Sequence, residues 1–223
     1  MDRPEILFHD DFRESVEGSG LRGSLTACST YKAHPSPFRN PYPLQLKKNP
    51  TPGYAGELRG YYRRSDGKDR WKPSWSAFNH PRDANSVHKG VDIYAPVGTE
   101  VVAVVEGWAE FHSTPSSDLG IRIGINFTAA DGSKWDLLYG HLSSLVGASR
   151  RVKKGEVIGK TGCTGNAEDG TCATANTCGG YSSHLHLAIK EPISNGVYCD
   201  PLAFFGWTLD YQGDLRDVDC KNA

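Results

Sequence analysis

An all-β fold is predicted for this chain, an antiparallel β-sandwich or open barrel with a largely irregular N-terminal region. Three observations predict it. Short apolar runs alternate with a period of two, as in Ile121-Arg-Ile-Gly-Ile-Asn-Phe127, which puts their apolar side chains on one face of a sheet. Glycine (25 residues) and proline (13) cut the chain into short segments, while methionine occurs once. No segment of convincing length has helical periodicity, apart from a short candidate at residues 201–205.

The 223 residues suffice for one well-buried core, or a core with a smaller appended region, rather than two full domains. Lysine and arginine (25) balance aspartate and glutamate (26), so the net charge of -1 gives no steering toward nucleic acid or an acidic membrane surface. No apolar run has the length to span a bilayer, and the first ten residues lack the apolar core of a signal peptide, so the chain reads as soluble. Six cysteines, Cys28, Cys163, Cys172, Cys178, Cys199 and Cys220, form no Cys-x-x-Cys pair. That favours disulfides over a cysteine zinc site and points to an oxidising compartment. Export without a visible leader implies that a leader has been removed or that a specialised secretion system delivers the protein. Buried free thiols in a cytosolic protein are the plain alternative.

Residues 1–70 carry few regular signals, and Pro35, Pro37, Pro41, Pro43, Pro50 and Pro52 interrupt them. This region is expected to be irregular and wrapped on the core, in preference to forming a groove wall or a blocking pro-segment. The β domain follows over residues 71–210. Strands are expected at residues 91–94, 100–105, 107–112, 121–127 and 134–141, the last two joined as a hairpin by Asp131-Gly132. Residues 153–160 read as a turn and a short strand. A loop of small residues carrying Cys163, Cys172 and Cys178 then precedes a strand within residues 181–190, and a local disulfide would hold that loop. Residues 211–223 form a tail that Cys220 would tether.

In the strand after this loop, His184 and His186 project from one face and Leu185 from the other. Two such histidines can serve one metal site, one as ligand and one as acid or base. Standing alone, the pair is more often a set of polar positions on a solvated face. A catalytic zinc site takes about three His and Asp/Glu ligands and leaves a position for water. His88-x-x-x-Asp92 supplies the best partners, because Gly90 gives the entry to Val91-Asp-Ile-Tyr94 the freedom to bring the two together. A solvated charge interaction is the plain reading of that spacing. Tyr139-Gly140-His141 ends another strand and adds a third histidine. His9, His34, His80 and His112 fit no such pattern and read as packing or surface residues, with His80 the nearest in sequence to the proposed groove.

In that order, His88-x-x-x-Asp92, Tyr139-Gly140-His141 and His184-Leu185-His186 resemble the lysostaphin-like (LytM-type) zinc metallopeptidases of bacterial cell walls. The likeness extends to residues 88–103, 152–159 and 161–165, and covers about residues 76–202. It implies a lysostaphin-like peptidase core in which His88, Asp92 and His186 bind Zn2+ and His141 and His184 are the catalytic pair. Such a zinc lowers the pKa of water to about 7. With no His-Glu-x-x-His helix to supply a glutamate base, an imidazole must take the proton, the second histidine orienting it or stabilising the oxyanion. Two departures bear on the bond cleaved: Ser182-Ser183 and a long cysteine-bearing loop stand where the family has a Gly-Pro lead into its His-x-His, and residues 1–70 match nothing in the pattern.

The resemblance implies a zinc-dependent peptidoglycan endopeptidase that hydrolyses an amide in cell-wall peptide cross-links. Tyr139, Tyr94, Trp71 and Trp75 are aromatic candidates for its substrate groove. A secreted or periplasmic location follows, for a wall-remodelling enzyme or for an antibacterial effector acting in a rival's periplasm. The effector reading implies a cognate immunity protein that plugs the groove. A monomer is expected, with no nucleic-acid partner and no transmembrane segment. Two alternatives are an inactive module of the same fold that activates a wall amidase, which five filled site positions disfavour, and a protease of secreted proteins.

Overall fold

Alternating apolar and polar residues build one large antiparallel sheet, and its polar face carries the candidate site. The structure, a computed structural model, describes residues 32–34, 36–39, 57–59, 77–83, 86–95, 97–167, 183–192 and 197–210. Its strands are β1 (Glu57–Arg59), β2 (Pro81–Asp83), β3 (Ser86–Val87), β4 (Val91–Tyr94), β5 (Glu100–Val102), β6 (Gly107–Ser116), β7 (Gly120–Thr128), β8 (Lys134–Leu145), β9 (Arg150–Val152), β10 (Val157–Thr161), β11 (His184–Lys190), β12 (Tyr198–Cys199) and β13 (Thr208–Asp210). Nine of them form the main sheet in the order β12-β11-β8-β7-β6-β9, with β4 added to β11 and β10 pairing with both β5 and β8. β2 and β3 form a separate antiparallel pair, and β1 lies parallel to β13. The predicted all-β class holds, and among the described residues helix is confined to α1 (Pro201–Phe205) and a 3-10 turn at Gly165–Ala167.

The period of two fixes which face is buried. Ile123, Ile125 and Phe127 of β7 stand opposite Tyr139, Leu137 and Trp135 of β8. Leu187 and Ile189 of β11 continue those rows, and Leu185 and Leu187 face Ile93 and Val91 of β4. All of these side chains belong to one core cluster that also takes in Phe38, Val101, Ile158 and Phe204. Burying each large aliphatic chain contributes about 1.5–3 kcal/mol. The odd-numbered core positions of β11 leave His184 and His186 for the opposite face, as the alternation predicted.

Local chemistry closes the elements. The β7–β8 hairpin turns through Asp131-Gly132 as expected: Gly132 has φ 85°, and the Asp131 carboxylate accepts from the Ser133 N–H at 3.0 Å. The short helix also falls where predicted, with Asp200 as N-cap accepting from the Leu202 N–H at 2.9 Å and Pro201 in the first turn. Its Phe204 packs edge-on against Phe127 and Trp135.

Three features exceed the sequence reading. β6 runs on to Ser116, β8 reaches Leu145 because its far half pairs with β10, and residues 36–39 lie along β5 with residues 32–34 close by. In that last contact Val102 N–H donates to Pro37 O at 2.8 Å and His34 N–H to Val104 O at 2.8 Å, with Phe38 buried. This part of the N-terminal region is wrapped on the core. Residues 1–31, 40–56, 60–76 and 211–223 lie outside the described residues, so the proposed boundary at 70 falls where the structure gives no description and the one at 210 coincides with the last described residue. Among the described residues no helix is long and apolar enough to cross a membrane.

Candidate metal centre and active site

β11 is flanked on both sides, and this places its histidines. His186 is in register with Asp92 of β4 on one side and with Gly140 of β8 on the other. His88 enters just before β4. The donors His88 Nε2, Asp92 Oδ1 and His186 Nδ1 converge, with separations of 3.1 Å from His88 to Asp92, 2.9 Å from His186 to Asp92 and 3.2 Å between the imidazoles. All three residues are buried. Gly90 makes the convergence possible, because a Cβ there would lie 2.5 Å from the Leu187 carbonyl oxygen and 2.7 Å from His186 Nε2.

His88 is fixed by the segment before it. Its Nδ1 donates to the Ala77 carbonyl at 2.9 Å, its N–H to the His80 carbonyl at 2.8 Å, and its own carbonyl accepts from the Asn79 N–H at 2.8 Å. A neutral His88 with its proton on Nδ1 presents a lone pair at Nε2, facing a carboxylate oxygen. A single N–H on His186 cannot satisfy all three contacts, whereas a cation would. Ligands about 2.0–2.2 Å from a tetrahedral zinc stand about 3.3–3.6 Å apart, so the three donors, now 2.9–3.2 Å apart, would need to spread by only a few tenths of an Å to seat one. Two imidazoles and one carboxylate therefore fit such an ion. Among the described residues no other trio of histidine, cysteine or carboxylate donors converges in this way.

His141 reaches the site through a break in the strand. Ile121 and Ile123, two apart on β7, face Leu142 and Tyr139, three apart on β8. The extra residue is a bulge at which His141 takes φ 60°. Thr164 closes the gap in the ladder: its hydroxyl accepts from the Ile121 N–H at 2.9 Å and donates to the Leu142 carbonyl at 2.8 Å. The Thr164 carbonyl accepts from His141 Nδ1 at 2.8 Å, and the His141 N–H donates to Leu119 O at 2.7 Å. The His141 ring meets His184 edge-on at 4.7 Å between centroids, and His184 Nε2 lies 3.6 Å from Asp92 Oδ1.

Burial sets the charge states. It pushes the His141 imidazole down to about 3, helped by His184 and His186, so His141 is neutral at pH 7 with its lone pair at Nε2. Burial lowers His88 as well, against the opposing pull of Asp92. For Asp92, burial alone would raise the carboxyl, but the neighbouring His88, His184 and His186 together hold it well below the usual carboxylate range.

A cavity of about 400 Å3 opens beside this cluster, lined by His88, Asp92, His141, His184, His186 and, further out, Arg82, Lys89 and Asp118. All five histidine and aspartate positions named from sequence are thus brought together. Tyr139 is not with them. It is fully buried in the core, its hydroxyl accepting from the Val104 N–H at 2.9 Å, and burial raises its pKa. The bulge explains this displacement: alternation would put Tyr139 and His141 on one face, and the extra residue sends them to opposite faces. Tyr94 pairs through its backbone with His184. Trp71 and Trp75 lie outside the described residues, as do Cys28, Cys172, Cys178 and Cys220, while Cys163 and Cys199 are buried and no described cysteine is free. Sequence reasoning missed Arg82, whose Nη2 holds Asp92 Oδ2 at 3.2 Å, and the Ala77 and Thr164 carbonyls. Main-chain acceptors carry no residue-type signal, and only the placement of Arg82 ahead of His88 hinted at its role.

The model of peptidase family M23 matches residues 86–201, more than half of the chain. The chain belongs to peptidase family M23. The M23 match starts at β3 and ends at the first residue of α1, so it contains every member of the histidine and aspartate cluster but not the segment that grips His88. Among solved structures, the M23 chain is similar to the catalytic domain of lysostaphin from Staphylococcus simulans, at 29% identity over 58% of this chain and 88% of that one, with a TM-score of 0.43. It is also similar to a zinc-containing peptidase from Vibrio cholerae, at 23% identity over 60% and 35% of the two chains and a TM-score of 0.39. The family assignment rests on the sequence match rather than on these superpositions. No curated protein matches the chain.

Proposed function

We propose that this M23 peptidase is a zinc-dependent peptidoglycan endopeptidase that hydrolyses an amide in wall peptide cross-links. The observation that carries the proposal is the convergence of His88 Nε2, Asp92 Oδ1 and His186 Nδ1 beside the His141–His184 pair at one end of a cavity. A zinc ion held there supplies a Lewis acid that polarises the scissile carbonyl and lowers the pKa of water to about 7.

The chain's own residues do the remaining work. Thr164 commits the Nδ1 proton of His141, so Nε2 is the atom that accepts a proton from the attacking water. The C–O bond forms as that proton moves to the imidazole, and the same proton passes to the leaving nitrogen as the C–N bond breaks. His184, between His141 and Asp92, orients the pair and donates to the developing oxyanion. Asp92 remains a carboxylate throughout, because its surroundings hold its pKa low.

The absence of free thiols among the described cysteines supports disulfides and, with them, a secreted or periplasmic location. The protein is proposed to act there as a monomer, and a cognate inhibitor, if the enzyme is an antibacterial effector, would occupy the same cavity. Incubating purified sacculi with the protein and identifying the released fragments by mass spectrometry tests activity and bond together. Intact sacculi after incubation with zinc-loaded protein would overturn the proposal.

A further inference from the structure

We propose that Arg82 is a positioning residue that fixes the coordination of Asp92, so that residues 77–82, ahead of the family-matched region, form the outer brace of the metal centre. The inference rests on the metal-centre reading above. Asp92 divides its two oxygens: Oδ1 faces His88 at 3.1 Å and His186 at 2.9 Å, while Oδ2 is taken by the Arg82 guanidinium at 3.2 Å. The Asp92 side chain is only 5% exposed, so no bulk water replaces Arg82 on the outer oxygen. A carboxylate has a broad, two-fold preference about its last torsion and would otherwise be free to turn. Arg82 removes that freedom and presents one oxygen to the ion. The same short segment holds a second donor, since the Ala77 and His80 carbonyls and the Asn79 N–H grip His88 from three sides. Two of three donors are thus set before a metal arrives, and partners of this kind are worth about 10–100-fold in metal affinity.

Arg82 also lines the cavity wall with its side chain 31% exposed, so it competes with a different role, that of anchoring a substrate carboxylate. Metal affinity separates the two. The full chain and its Arg82→Gln and Arg82→Lys variants are stripped with a chelator, checked by circular dichroism, and titrated with Zn2+ against a chromophoric chelator. kcat and KM on sacculus fragments are then taken at saturating zinc. Arg82→Gln is expected to raise the zinc Kd by about 10–100-fold with KM unchanged. Arg82→Lys should fall between it and the parent, because an ammonium lacks the planar fork of the guanidinium. A parental Kd in Arg82→Gln, or a raised KM with an unchanged Kd, overturns the proposal. If Arg82→Gln does not fold, Arg82→Lys decides, and a parental Kd there overturns it equally. A parent chain that binds no zinc sinks both this inference and the metal-centre reading. Arg82-dependent zinc binding without sacculus cleavage leaves this inference standing and removes the endopeptidase assignment.

Discussion

Replacing Gly90 by alanine should damage the proposed metal centre from behind. The added Cβ would stand 2.5 Å from the Leu187 carbonyl oxygen, 2.7 Å from His186 Nε2 and 2.8 Å from His186 Cε1. The closest ordinary C···O approach is about 3.3 Å, so the carbonyl contact is short by about 0.8 Å. Metal ligands tolerate displacements of about 0.2 Å. Either the His186 ring turns away from Asp92 and His88, or β4 and β11 separate. Overpacking of this size costs about 1–3 kcal/mol. Borne wholly by the metal site, that is about a 5- to 150-fold rise in zinc Kd. Borne by the strand pair, it lowers the melting temperature of the metal-free protein instead. Chelator competition and a thermal melt of the stripped protein, run side by side, measure the partition. A Gly90→Ala protein with both parental zinc affinity and parental melting temperature would refute the close approach on which the reasoning depends.

The two strand histidines should fail differently. His184→Ala is expected to abolish sacculus cleavage while retaining zinc, and His186→Ala to lose the metal as well; a fully active His184→Ala protein would reverse the assigned roles. Tyr139→Phe should destabilise the fold by about 1–3 kcal/mol, because the buried Val104 N–H loses its acceptor, and leave kcat/KM unchanged. A large fall in kcat/KM at parental stability would return Tyr139 to the substrate groove. Asp200 provides a pH test. Burial raises its carboxyl in the folded state, against the hydrogen bonds from Leu202 and Ala203. Its contribution to stability is therefore present below the unfolded value of about 3.9 and is lost as the pH rises through the higher folded value. Asp200→Asn keeps the cap without the buried charge, so its urea midpoint should gain on the parent between pH 4 and pH 7; a constant difference across that range would count against the buried carboxyl.

What could be read from the sequence was what depends on local period and local turn chemistry. Val91-Asp-Ile-Tyr94, the Asp131-Gly132 hairpin, the Pro201–Phe205 helix and the opposed directions of Leu185 and His186 all follow from spacing within a few residues. That His88, Asp92, His141, His184 and His186 come together was legible too, through the order of the three motifs that carry the family resemblance. Illegible features were those decided across the sheet. The bulge at His141 exists because β7 and β8 differ by one residue between matched pairs; Gly140 is the one local hint of it, and it does not say which residue turns. Tyr139 was misplaced for the same reason. Arg82 on Asp92 and the Thr164 hydroxyl bridging β7 and β8 join residues 10 to 43 positions apart through contacts that only the folded arrangement brings about.

The strap at residues 36–39 also bears on how the family-matched region behaves by itself. β5 pairs with β10 on one side, and on the other its main-chain groups are met by Pro37 and Arg39, with Phe38 filling a slot in the core. A chain trimmed to residues 86–201 would keep every proposed metal donor and both histidines of the proposed catalytic pair, yet it would lay bare an unpaired strand edge beside an apolar hole. Such edges recruit further chains by β-addition. Residues about fifty positions ahead of His88 thus cover a strand edge that the family-matched region would otherwise leave open.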